Sequence, residues 1–375
     1  MGDMIVLDGS YGEGGGQILR TALTLSALTG RPLRLDKIRA GRKEPGLRPQ
    51  HLAAVRAVAA ICEARVQGDE LGSSLLTFEP GTAPKAGEYR FDIPTVAETG
   101  SAGSVTLLFQ ALFLPLALAG APSMLSLGGG THVAWSPPYH YLTQVYLPTL
   151  EQVGFVARLE LLKWGWYPQG GGEVLAHIEG NKGGKLRPLE LGERGKLLGV
   201  HGISATSNLP EHIALRQRDR ALQRLRARHI KAEIEIVQGA SPGQGTVLFL
   251  VARYEGAVAG FTGYGRIRYP AEKVADDAVE EFEAYHLSKA ALDPHLADQV
   301  LLPLALVPDR FNRGLALDTP DLVGGNRGLV PGPSRYTTSE ITRHLLTNCW
   351  VIQHFLERER RIEGEQGTPG QVSIA

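Results

Sequence analysis

RTALTLSALTGRP (20–32) and QALFLPLALAGAP (110–122) are the two segments on which the fold turns. Each is an apolar helical pattern that stops at glycine and is followed two residues later by proline, the C-terminal signature of a helix. They begin 90 residues apart, at Arg20 and Gln110, and a fixed offset between like segments marks an internal repeat. The stretches after them are alike as well. A short β-like run (33–38; 124–127) and a glycine-containing loop lead to a second amphipathic helix, opening HLAAVRAV at His51 or HYLTQVYL at His140, an offset of 89. Strand-like runs at 75–79 and 155–161, with Gly/Pro turns, close each unit. The unit reads strand, helix, strand, helix, strand, strand.

A third copy begins at LLPLALV (301–307), which repeats the LPLAL of 114–118 at an offset of 188, and its second helix opens HLLTNCWV at His344. Leu345, Cys349, Ile352 and Leu356 recur there at the spacing of one buried helix face, with His344 beside the stripe and Thr347 and Asn348 one turn on. A full unit already occupies 91–180, so the surplus of about 100 residues is an insert. It has its own pattern: a strand near 197, a helix at 210–227, IKAEIEIV (230–237) and TVLFLVARY (246–254). The expected fold is α+β. Three βαβαββ units form a large domain from 1–185 and 281–375, interrupted by a smaller α/β domain at 186–280.

The chain has 375 residues, enough for more than one lobe, and its 39 basic and 39 acidic side chains cancel. Any binding of a polyanion therefore depends on a local cluster. Two cysteines, Cys62 and Cys349, exclude a disulfide framework or a cysteine-based zinc site and fit a reduced, cytoplasmic setting. The N-terminal MGDMIVLDGS lacks a basic region followed by an apolar run. The richest apolar stretch, 105–119, carries Gln110 and Pro115 and is too short to span a bilayer, so no membrane association is expected.

Four stretches carry chemistry. DGSYGEGGGQILR (8–20) puts four glycines directly before a helix, where exposed N–H groups at a positive helix end favour a phosphate. It matches neither common nucleotide signature: no Gly-Lys-Ser/Thr is present after it, and Gln17 stands where a third glycine would complete the other. It reads equally as a tight turn, and Glu13 within it would repel phosphate unless a metal ion lay between. IRAGRKEPGLRPQH (38–51) concentrates Arg39, Arg42, Lys43 and Arg48 in one loop, a solvated face or a polyanion clamp. In LGGGTHVAWSPPYHYL (127–142), Trp135, Pro137, Pro138 and Tyr139 replace those arginines, for packing or for stacking a base. In DPHLADQVLLP (293–303), His295 and Asp298 share a helix face, and a carboxylate there either holds a metal ion or caps its own helix.

Taken in order, DGSYGEGGGQILRTAL, IRAGRKEPGLRPQHL, TGSAGSVTLLFQ, GGGTHVAWSPP, HLADQVLLP and RHLLTN resemble the RNA 3′-terminal phosphate cyclase family over nearly the whole chain. The resemblance implies three units like the C-terminal domain of a bacterial translation initiation factor, plus an inserted βαβαββ domain. It implies an enzyme that uses ATP and a divalent metal, Mg²⁺ or Mn²⁺, to turn an RNA 3′-phosphate into a 2′,3′-cyclic phosphate, in three nucleotidyl-transfer steps. The family's adenylated histidine falls on His344. Its nucleotide contacts fall on Gln110 and on Pro294, His295, Leu296, Ala297, Asp298 and Gln299. Charge then suggests Arg20, Arg39, Arg42 and Lys43 as phosphate and RNA clamps, Glu13 and Asp298 as metal ligands, His295 or the 135–139 loop for base stacking, and Asn348 to orient the imidazole.

Two rivals stand beside this reading. A non-catalytic relative that binds RNA in ribosome assembly would keep the fold without the nucleophile, and the retained His344 argues against it. An enolpyruvyl transferase would use the Arg/Lys cluster, but that family lacks the spliced-in domain. The long Gly/Pro-rich loop at 308–335 is assigned no role by the resemblance, and the sequence leaves the oligomeric state open.

Overall fold

The computed structural model describes residues 3–93, 102–181, 186–307 and 333–375. Most of the 308–335 loop and the start of TGSAGSVTLLFQ lie outside those residues. Mixed α and β elements build four four-stranded sheets. The first comprises β1 (Ile5–Asp8), β2 (Leu33–Asp36), β3 (Arg65–Gln67) and β4 (Leu76–Glu79), in the order β1-β2-β4-β3. Its helices are α1 (Gly16–Thr29) and α2 (Pro49–Cys62). The second comprises β5 (Glu88–Asp92), β6 (Ser123–Gly129), β7 (Ala157–Lys163) and β8 (Gly172–Ile178), in the order β5-β6-β8-β7. It carries α3 (Val105–Ala117) and a helical run made of α4 (Tyr139–Tyr141), a π-turn at Leu142–Tyr146 and α5 (Leu147–Val153).

The chain then lays down a two-residue strand, β9 (Glu190–Leu191), and builds a different unit before returning. That unit has β10 (Leu197–Ser207), α6 (Glu211–Ala227), β11 (Ala232–Gln238), β12 (Gly245–Tyr254), β13 (Val258–Tyr264) and α7 (Ala271–Ser288), with strand order β11-β10-β12-β13. Beyond it come α8 (Pro294–Gln299), α9 (Leu301–Ala305), β14 (Ser334–Thr338), α10 (Arg343–Phe355), β15 (Arg360–Glu363) and β16 (Gly370–Ile374). β9 pairs with β14, and the sheet reads β15-β16-β14-β9. In this sheet and the first two, the first strand pairs parallel with the second, which pairs antiparallel with the fourth; the third lies antiparallel outside the fourth.

The physical reason for α1 is visible in its burial. From Ile18 to Leu28 it buries a nearly continuous run, because α2, α3 and α10 all pack against it, and a helix surrounded on several sides has no polar stripe. Gly30, at φ 67°, closes it in the left-handed conformation and donates its N–H to the Ser26 carbonyl. The matching glycine after α3, Gly120, lies beyond the helix end; there Leu118 ends the helix in right-handed geometry. The third counterpart is shorter than LLPLALV suggests, since α8 and α9 meet at a break at Val300.

Two cores result. The larger is shared by the first two sheets, the β9–β14–β16–β15 sheet and the helices between them; the smaller lies between the β10–β13 sheet and α6 and α7, around Leu248, Leu250, Val279 and Phe282. Alternation along β12 serves both, with Leu248, Leu250 and Ala252 facing α6 and α7 and Val247, Phe249 and Val251 joining the larger core. No helix among the described residues is long and apolar enough to cross a membrane.

Phe113, fully buried on α3, stacks on Phe109 at 5.1 Å and meets Tyr146 and Phe155 edge-on. Phe113→Ala is expected to lower the stability measured by urea unfolding by about 3–5 kcal/mol. Leu162→Ala, at a side chain half exposed on β7, is expected to change it by less than about 0.5 kcal/mol.

Candidate active site

Everything at the site depends on how closely the glycine loop approaches α10. Gly12 and Gly14 have φ of 57° and 60°, and a Cβ on Gly12 would lie 2.3 Å from Thr347 Oγ1. Only glycine fits there. Thr347 Oγ1 accepts the Glu13 N–H at 3.4 Å and donates to the Arg343 carbonyl at 2.7 Å, so the loop is pinned to the first turns of α10. The helix start is capped by Thr342, whose Oγ1 accepts the Leu345 N–H.

Pinning the loop sets Glu13 against His344. The imidazole is 48% exposed, and its Nδ1 lies 2.9 Å from Glu13 Oε2 and 2.5 Å from Gln17 Oε1. With two acceptors on Nδ1, that nitrogen carries the proton and Nε2 keeps its lone pair. Nε2 has no hydrogen-bond partner among the described residues. Glu13 Oε1 takes an ion pair from Arg42 on the facing loop, so one carboxylate joins histidine and guanidinium.

The charges are mutually dependent. Partial burial alone would lower the His344 pKa, but the Glu13 hydrogen bond and the charges of Asp298 and Glu13 outweigh it and hold the imidazole above the ordinary histidine value. Burial raises Glu13, and its bond and attraction to His344, with Arg42, reverse this and hold it below the usual carboxylate range. Burial pushes Asp298 up to about 6, against the pull of His344, His295 and Arg20. Arg20 is brought down to about 10 by burial while Glu13 and Asp298 oppose the shift, so it stays cationic at neutral pH. The pair's support of folding is lost at both ends: for His344 as pH rises through its raised folded value, for Glu13 as pH falls through its lowered one.

The equivalent histidines are built differently. His51 is buried under Gly16, where a Cβ would meet its Nε2 at 2.4 Å, and its Nδ1 accepts the Arg48 N–H at 3.1 Å as part of the α2 cap. His140 Nδ1 bonds His132 Nε2 at 2.9 Å beside Trp164, and burial takes its pKa down to about 4. Of the three, only His344 combines an exposed nitrogen with a carboxylate on the other.

This arrangement sits within a sequence that matches known proteins along its length. The family model described as RNA 3′-terminal phosphate cyclase matches residues 11–362. The chain belongs to the RNA 3′-terminal phosphate cyclase family. It is 46% identical over 354 residues to a protein of that name from Nostoc punctiforme, with 94% of each chain covered. A namesake from Methylococcus capsulatus is 46% identical, covering 94% of this chain and 91% of its own. One from Methanopyrus kandleri is 41% identical over 379 residues, covering 99% of this chain and 98% of its own.

Set against this cyclase-family chain, the expected site residues divide. Glu13, Arg20, Arg42, His295, Asp298 and His344 fall within one another's electrostatic reach. Gln110 Nε2 donates to Gln299 Oε1 at 2.5 Å, joining α3 to α8. Pro294 is half-buried at the start of α8 and His295 is exposed, whereas Leu296 and Ala297 are core residues with no side-chain surface to offer a nucleotide. Arg39 has its guanidinium tied to the Glu44 and Gly46 carbonyls of its own loop, at 2.8 and 3.0 Å. Lys43 is exposed and has no ion pair among the described residues. Trp135 is fully exposed, and Pro137 accepts the Thr106 hydroxyl one turn ahead of Gln110 on α3.

Two expectations need correction. Asn348 does not orient the imidazole: its Oδ1 accepts from Thr21 at 2.7 Å and its Nδ2 donates to the Asp298 carbonyl at 2.9 Å, so it is buried and fastens α10 to α1 and α8. Helix geometry explains this, since Asn348 lies one turn deeper, on the face that packs. Nor does Asp298 cap its helix; Asp293 does, accepting from the His295 and Leu296 N–H groups. Gln17 is the site residue that sequence reasoning missed. Read as a failed glycine, it is a partner of the imidazole, and the available signal was its position at the start of a helix that begins beside Glu13.

Glu13→Gln is expected to lower the His344 pKa when the ring is titrated by NMR. Asn348→Ala is expected to leave that pKa near its parent value while costing about 1–3 kcal/mol of stability, because it strands the Thr21 hydroxyl.

Proposed function

We propose that the chain converts an RNA 3′-terminal phosphate to a 2′,3′-cyclic phosphate at the expense of ATP, with His344 as the nucleophile. The observation that carries this is the half-exposed imidazole whose Nδ1 is engaged by Glu13 and Gln17 while Nε2 is left unbonded, beside Arg20 and Arg42. Nε2 attacks the α-phosphorus of ATP; the N–P bond forms and the P–O bond to pyrophosphate breaks, while Glu13 steadies the imidazole proton on Nδ1. An oxygen of the RNA 3′-phosphate then displaces the histidine, giving an anhydride to AMP. The neighbouring 2′-hydroxyl attacks the 3′-phosphorus, loses its proton, and expels AMP. A phosphate monoester is a poor electrophile until one oxygen becomes a good leaving group, and the vicinal hydroxyl is already in place.

Arg20 and Arg42 supply the fixed positive charge that transferring phosphoryl groups need, with Lys43 as a solvated addition. Gln110, Gln299 and His295 are the side chains we assign to the nucleotide; Leu296 and Ala297 contribute backbone only. Mg²⁺ or Mn²⁺ would neutralise phosphate oxygens when bound, held by Asp298 and Glu13. Among the described residues no three of His, Cys, Asp and Glu converge, which suits a hard cation that relies on one or two carboxylates and substrate phosphates. The non-catalytic RNA-binding alternative is not favoured, since it has no use for this imidazole.

The shared strand order of the three sheets supports reading them as repeats like the initiation-factor C-terminal domain. We place the inserted domain between about 195 and 289, in place of 186–280. Glu190–Leu191 pairs with β14, and α7 runs past 280 to Ser288 within the smaller core. A cytoplasmic setting fits the two free cysteines.

Incubation with α-labelled ATP and Mg²⁺ or Mn²⁺ is expected to leave acid-labile, base-stable label on the protein. Attack needs the neutral ring, so labelling rises with pH through the raised His344 pKa, and in Glu13→Gln that rise moves to lower pH. Label of this type on His344→Ala would refute the assignment, and RNA ending in a 3′-hydroxyl should not be consumed.

Arg42→Ala is expected to lower cyclisation kcat/KM roughly ten- to hundredfold, the worth of one charge-assisted phosphate contact. The loss should deepen as salt is raised; an unchanged rate returns the 38–51 loop to a solvated surface.

A further inference from the structure

Helix α6, EHIALRQRDRALQRLRA, with Arg228 just after it, is the most arginine-rich stretch of the chain, and almost all of that charge is neutralised. Arg216 pairs with Glu272 at 2.7 Å, Arg220 with Asp276 at 2.8 Å, Arg224 with Asp276, Glu280 and Glu283, and Arg228 with Glu283 at 3.4 Å, all on α7. Arg218 takes Asp219 beside it. Arg226 has no ion pair among the described residues. It is exposed, and with His229 and Lys231 from the turn after the helix it lines a groove of about 590 Å³ between the end of α6 and the start of β10 and β11.

The groove's other walls matter. His201 lines it with the three cations, Leu198 is 66% exposed, and the single acid, Glu233, is 86% exposed and 4.0 Å from His201. The carbonyl end of α6 would repel an anion were it bare, but the N–H groups of Arg228 and Ile230 cover the Leu225 carbonyl and that of His229 covers Arg226. In a chain of zero net charge, this is a local cationic surplus with an apolar wall, the combination that tracks a nucleic-acid backbone and lets a sugar or base rest on aliphatic surface.

We propose that this groove on the inserted unit binds the phosphodiester backbone of the RNA substrate away from its reacting 3′ end, through Arg226, His229 and Lys231. The inference rests on the RNA-cyclising reading but concerns none of the residues assigned to the reaction. It makes the inserted unit a grip on the body of the RNA, so that long substrates gain affinity that short ones lack.

The test compares the parent with Arg226→Ala/His229→Ala/Lys231→Ala on two 3′-phosphorylated RNAs, a tetranucleotide and a long single strand. The expected result is unchanged self-adenylylation, unchanged KM for the tetranucleotide, and a KM for the long RNA raised on the order of tenfold at low salt. The slope of log KM against log salt should fall by about 2, from about 0.7 per lost single-strand contact. Arg226→Lys/Lys231→Arg should retain parental behaviour. An unchanged ratio of long to short KM overturns the proposal, as does loss of self-adenylylation in the triple variant. If the parent itself fails to cyclise RNA, the function reading fails separately. The groove is then judged by fluorescence anisotropy with a long 3′-hydroxyl RNA: retained affinity in the triple variant sinks it, and loss sustains it.

Discussion

Glu13 lies between an imidazole and a guanidinium, and the rest of the site depends on that placement. His344 and Arg42 belong to segments far apart in the chain, and one carboxylate holds both. The contact exists because Gly12 lets the loop backbone press against Thr347, where any side chain would collide. A steric constraint at one glycine is thereby converted into an electrostatic arrangement: a proton fixed on Nδ1, a lone pair facing out, and cationic side chains near where phosphate charge would gather.

The three equivalent histidines show how one structural position can support different chemistry. At His51 and His140 the surroundings are dry and the ring is held neutral, as a cap in one case and as part of an imidazole–indole cluster in the other. At His344 the opening between the glycine loop and α10 admits water and a carboxylate together, and the balance tips toward the protonated ring. The difference lies in what packs on the helix start, because all three residues begin similar helices.

Charge is handled by a comparable division on the inserted unit. Arginines facing α7 are paired with acids and serve helix packing, with Asp276 buried between two of them. Arg226, at the helix end, faces solvent. Composition counts both kinds equally; only the direction in which each side chain leaves the helix separates a structural arginine from one free to meet a ligand.

Much of this is legible in the sequence. Hydrophobic period, glycine stops and fixed offsets specify three like segments and an insert with its own pattern, because those signals are local and each helix announces its buried face. The ordered motifs mark out Glu13, Arg42, Asp298 and His344. Sequence alone does not reveal that Arg39 is spent on its own loop, that Asn348 fastens three helices, that Leu296 and Ala297 lie in the core, or that Gln17 is the second partner of the imidazole. Each of those depends on which segments meet in the folded chain, several of them across hundreds of residues, and hydrogen-bond partnership at that range is set by packing, which no local periodicity encodes.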